Sequence, residues 1–219
     1  MKKGLYIARA NCMNMKLMSK LIAILLILFV VSGCALIETT ETKQLVVPAP
    51  VGQWAVTASA SSAYGSLSGE GRDDQSPYAA TGEPDVTDCR DDQKAWVPSE
   101  EDHGEQWLEL TYDTDVYISK VRVRETLGPG SVIKVEGKTD SGYEIIWQGV
   151  DNTEICPGYF EAEFSEMIDD IPRKMTSYKT DTIRITLDTD KENWNEIDAV
   201  ELIGYTDKWY VYNETLYME

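Results

Sequence analysis

Histidine is nearly missing from this chain of 219 residues: His103 is the sole one. One histidine cannot build a His-based zinc centre, and a Ser-His-Asp triad would have to recruit it from the acidic run Ser99-Glu-Glu-Asp-His-Gly104. No glycine-rich phosphate loop stands before a helix. Basic residues are also scarce, with 20 Lys and Arg against 38 Asp and Glu. That imbalance repels phosphates and disfavours nucleic acid as a partner. Long apolar runs are lacking too. Leu21 to Val31 is unbroken for 11 residues, short of the roughly 20 that a spanning helix needs.

That short run does have the length of an export-signal core. Lys16 and Lys20 precede it, and no Asp or Glu occurs before Glu38. It ends in Val31-Ser32-Gly33-Cys34, where two small residues give a peptidase close access to the backbone. The segment resembles the lipobox of bacterial-type lipoproteins. The resemblance implies that residues 1–33 are a signal peptide and that Cys34 is the lipidation site. It also places the protein in the cell envelope, anchored to the outside of the membrane. A plain signal peptide with an incidental cysteine is the alternative, and Met15 offers a second start. Cleavage would remove five basic residues and leave 15 against the 38 acidic ones, a net charge of −23.

Residues 34–50 form the lipidated N-terminus and a Thr-, Glu- and Pro-bearing tether. Only Cys89 and Cys156 remain beyond the anchor, an even pair in an oxidising compartment. They are expected as a disulfide, with two buried free thiols as the alternative. Residues 51–105 are rich in Gly, Ser, Asp and Pro and read as ordered loops around a short strand near Trp54–Ala58.

From Gln106 the pattern becomes short alternating strands: Trp107–Tyr112, Val116–Glu125, Ser131–Gly137, Tyr143–Val150, Tyr159–Phe164, Thr182–Leu187 and Ile197–Ile203. A helical turn fits Phe164–Ile171. The aromatic tail 206–219 fits an edge strand, and Asn213-Glu-Thr215 is a glycosylation sequon. This spacing predicts an all-β fold, an antiparallel β-sandwich or jelly roll, spanning 51–205.

An ordered series of motifs runs through that span. Tyr78-Ala-Ala-Thr-Gly-Glu-Pro-Asp85 comes first, then Ala95-Trp96 and Glu105–Tyr112. Val121-Arg-Val-Arg-Glu-Thr126 and Gly128–Val135 follow, and Trp194-Asn-Glu-Ile-Asp-Ala-Val-Glu-Leu-Ile-Gly204 closes it. The series resembles the galactose-binding-like, discoidin-type jelly rolls, and within them the pappalysin-type scarf domain. That resemblance implies a non-catalytic binding or adhesion module. It also implies a structural calcium ion on Asp85 and Glu201, with carbonyls near Ala80 and Asp92, and with Glu196 and Asp198 as alternative carboxylates. Carbohydrate-binding relatives stack sugars on loop aromatics. Tyr64, Tyr78, Trp96 and His103 are the matching ligand-binding candidates, although Trp96 and Trp107 also suit the core. The ligand expected is a glycan or a surface protein. A structural envelope lipoprotein that mediates assembly is the second reading, and an enzyme acting on glycans is the third.

Overall fold

Period-two alternation carries the architecture. In the computed structural model, residues 47–218 are described, apart from 169–170, 192 and 213–214. The signal, Cys34, most of the tether and Asn213 lie outside the described residues. Twelve strands follow in chain order: β1 Val51–Trp54, β2 Thr57–Ala60, β3 Glu105–Leu127, β4 Val132–Thr139, β5 Gly142–Gln148, β6 Gly158–Glu163, β7 Glu166–Ile168, β8 Ile171–Arg173, β9 Lys179–Asp188, β10 Glu196–Tyr205, β11 Trp209–Tyr212 and β12 Thr215–Met218. Among the described residues there is no α-helix, and so none long and apolar enough to cross a membrane.

The two alternating segments expected around residues 107–125 are one strand of 23 residues, β3. Its first part pairs with β2 and β9, its second with β10 and β6. Pairing slips between Thr111 and Val116, at Asp113-Thr-Asp115, where three consecutive polar residues have no claim on the core. These eight strands form one hydrogen-bonded antiparallel network, which the long β3 divides into two sheets, β2-β3-β9-β4-β5 and β1-β10-β3-β6. Leu108 and Leu110 from the first sheet meet Val121, Val123, Val200 and Leu202 from the second in one buried cluster. Two sheets facing across shared side chains make the sandwich expected from the sequence.

The outer faces are stitched by ion pairs at cross-strand positions. On the second sheet, Arg122 holds Glu201 at 2.7 Å and Glu161 at 2.9 Å, and Lys120 reaches Glu161 and Glu163. On the first, Glu109 binds Arg184 at 2.9 Å, and the Arg184 guanidinium lies over the rings of Trp107 and Tyr143. Each exposed pair of this kind contributes up to about 1 kcal/mol.

Two local expectations are corrected. The segment expected as a helical turn holds the two strands β7 and β8, paired as a hairpin. The aromatic tail is no edge strand of the sandwich: β11 pairs with β12 alone, with Tyr210 stacked on Tyr217. The pairing is also confirmed between Cys89 and Cys156, which form a disulfide with Cα atoms 5.2 Å apart. It ties the early loops to the β5–β6 connection.

Candidate functional site at the loop end of the sandwich

Residues 61–104 are irregular but not loose, because their polar groups have assigned partners. The Trp96 backbone exchanges two hydrogen bonds with Ile197 of β10, at 2.8 and 3.0 Å. Its indole N–H donates to the Ser62 carbonyl at 3.0 Å. Tyr64 N–H donates to Val97 carbonyl, and Gln75 N–H to Gln93 carbonyl. This blanket of loops covers the start of β10, so Glu196 through Val200 are all buried. The register of β10 is irregular here, and its two buried carboxyls, Glu196 and Asp198, take backbone N–H groups of the loops.

Both carboxyls hold the blanket down. Asp198 accepts the backbone N–H groups of Asp85 and Val86, at 3.3 and 3.2 Å. Burial raises its pKa to about 6 against the pull of those two donors. Glu196 accepts from Asp92 N–H at 3.3 Å and from the Thr126 hydroxyl at 3.4 Å, through Oε2. Burial, then the neighbouring Asp91 carboxyl, push it up to about 8.

Glu196 also forms the wall of a cleft of about 110 Å³ lined by Tyr64, Gln75, Asp91, Val97 and Trp194. The Tyr64 ring, 63% exposed, meets Trp194 edge to face, with centroids 5.6 Å apart. Gln75 donates its amide to Asp91 at 2.7 Å. Backbone strain brackets the cleft: Gln75 sits at φ 56° and Asn193, beside Trp194, at φ 71°. Asparagine tolerates that region, whereas glutamine there costs roughly 1–2 kcal/mol, a strain characteristic of functional loops. Gly65 lets the Tyr64 loop approach its neighbour, since a Cβ at 65 would lie 1.7 Å from the Asp74 carbonyl oxygen.

Of the four ligand candidates, the structure brings Tyr64 to this cleft. Tyr78 sits half-buried in a 3₁₀ turn, Pro77–Ala80, away from it. His103 lies in an exposed loop, 3.4 Å from Glu100. Trp96 is corrected: it is fully buried, with its indole N–H satisfied inside, and offers no face to a ligand. Sequence reasoning missed Gln75, Asp91, Val97 and Trp194 as lining residues, and gave Glu196 as an alternative metal carboxylate. Trp194 adjoins the Asn-Glu-Ile-Asp motif and was within reach of a reading. Nothing in the local sequence marks Gln75 or Asp91.

Asp85 and Glu201 do not converge. Asp85 lies 3.6 Å from both Arg72 and Lys94. Glu201 is paired across β10 and β3 with Arg122, which it holds at 2.7 Å. Among the described residues, no three His, Cys, Asp or Glu side chains gather as a metal shell. Asp85 and Glu201 do not fit one calcium ion, because each already faces cationic side chains at a separate place.

A second, broader groove of about 740 Å³ runs along the β5–β6 connection, walled by Trp147, Tyr159, Phe160 and Arg124.

The model of one protein family, the pappalysin-1 SD scarf domain, C-terminal, matches residues 48–213. The chain belongs to this family. No curated protein sequence matches the scarf domain chain. Several solved structures are similar to it. The CBM32 of AlyQ in complex with 4,5-unsaturated mannuronic acid is 16% identical, with TM-score 0.45, covering 68% of this chain and 96% of that one. The family 32 CBM from C. perfringens NanJ in complex with galactose is 16% identical, with TM-score 0.45, covering 70% and 99%. Allantoicase from Saccharomyces cerevisiae is 16% identical, with TM-score 0.44, covering 74% and 45%.

Proposed function

We propose that this scarf domain is a non-catalytic glycan-binding module, held on the outside of a membrane by lipid on Cys34. The observation that carries the reading is the cleft. An exposed tyrosine braced by a tryptophan supplies an apolar platform, and an amide and two carboxyl groups stand beside it to bond hydroxyls. A binding role suits these acids better than hydrolysis. Asp91 and Glu196 line one cleft, and both already serve as hydrogen-bond acceptors, from the Gln75 amide and from the Asp92 N–H. The lipid reading is supported by the apolar run, the small residues and the cysteine occurring in the order and spacing of a lipobox.

The test is a glycan array followed by calorimetry on the best ligand. Tyr64→Ala and Trp194→Ala are expected to weaken binding by ~tenfold or more with the β-sheet circular dichroism intact. Unchanged affinity in both variants would overturn the assignment of the cleft. Absence of any glycan binding, with envelope proteins co-purifying instead, would put the assembly reading in its place. For the anchor, full-length protein is expected in the detergent phase on phase separation and Cys34→Ala in the aqueous phase; an unmoved variant would refute lipidation there.

A further inference from the structure

Asp91 and Glu196 are two acidic groups lining one cleft, and the cations around them are directed elsewhere. On the same loop, Arg90 pairs with Asp92 at 3.2 Å and Lys94 with Asp85 at 3.6 Å. Among the described residues neither Asp91 nor Glu196 is ion-paired. Glu196 is 1% exposed, and the Asp92 N–H and the Thr126 hydroxyl both donate to its Oε2. Asp91 has one oxygen taken by the Gln75 amide. Two adjoining carboxyls can settle their repulsion by keeping a proton, or by taking a cation from solution. The cleft that they line is open to solvent through exposed Tyr64 and Asp91, and it is walled by two aromatic rings whose faces also favour a positive charge. The whole chain, at net −18, adds a field that draws cations toward it.

We propose that the Tyr64–Trp194 cleft takes the ammonium group of an amino sugar, set between Asp91 and Glu196 with the sugar ring against Tyr64. The inference rests on the glycan-binding reading and names the class of glycan: one that carries a free amine. Neutral sugars would leave the two carboxyls facing each other, and acidic sugars would add a third negative charge. An ammonium donates to both carboxyls at once.

The experiment compares a β-1,4-linked glucosamine tetramer with its fully N-acetylated counterpart, by calorimetry on the full chain under mildly acidic conditions that keep the amine charged. A lysine-rich peptide is run beside them. The expected result is that the free-amine tetramer binds ~tenfold or more tighter than the acetylated one, because only it carries the charge. Asp91→Asn, a change at an exposed side chain, is expected to erase that difference, while Trp194→Ala weakens both sugars. Equal binding of the two tetramers would overturn the cation inference and leave glycan binding standing. Binding of neither tetramer, with the peptide bound instead, would overturn both and assign the cleft to a protein cation. Full discrimination persisting in Asp91→Asn would refute the placement of the ammonium.

Discussion

Glu125 and Glu196 are each 1% exposed, and burial gives them a proton affinity unlike that of surface acids. Burial, then the charge of Asp151, raise Glu125 to about 8, although Gly130 and Ser131 donate backbone N–H bonds to it. Glu196 rises to about 8 as well. An acid whose pKa is higher folded than unfolded holds extra protons in the native state between the two values. Its contribution to stability is therefore full near pH 4.5 and falls as the pH climbs to about 8. Each group loses roughly 1.4 kcal/mol per pH unit in that window. Glu161, lowered by the Lys120 bond, has the opposite sign, but its effect is felt on acidification below the ordinary carboxylate value. The melting temperature is expected to drop between about pH 5 and about pH 8, and Glu125→Gln to flatten the drop. Calorimetric scans across that range are the check; a melting temperature that rises or holds steady would contradict it.

At the scale of elements, the loops depend on close approach more than on composition. Gly65 carries the tightest contact described above, at the root of the Tyr64 loop. Gly65→Ala is expected to push that loop off Asp74, lowering stability by about 1–3 kcal/mol and weakening ligand binding through displaced Tyr64. Chemical denaturation and calorimetry on the purified variant measure both; wild-type values in both would show that the loop yields without cost. β3 teaches a related point. Its two alternating stretches were legible as strands from Leu108, Leu110, Val121 and Val123, but their continuity was not. Whether three polar residues make a turn or a bend within one strand depends on β9, which pairs with both sides of the slip.

For the molecule as a whole, the disulfide is the one covalent cross-link beyond the backbone between the loop blanket and the sandwich among the described residues. With 67 residues of separation, its loss is expected to cost about 4 kcal/mol by chain entropy. Reduction, or Cys89→Ser with Cys156→Ser, should lower the denaturation midpoint accordingly, and an unreduced digest should contain the linked peptides; an unshifted midpoint would show that the loops are held without it. The sequence by itself determined the fold class and most strands of the sandwich, and it made the Cys89–Cys156 disulfide the expected pairing. Alternation and cysteine number are local or countable, and β-branched residues with period two have few other ways to be buried. Tertiary structure alone decided which polar residues face each other. Asp85 and Glu201 look equivalent in sequence to Asp91 and Glu196, yet the first two sit beside separate cations, and the second two share a cleft. That difference comes from how residues 61–104 fold over β10, a packing of long-range contacts that no local pattern encodes.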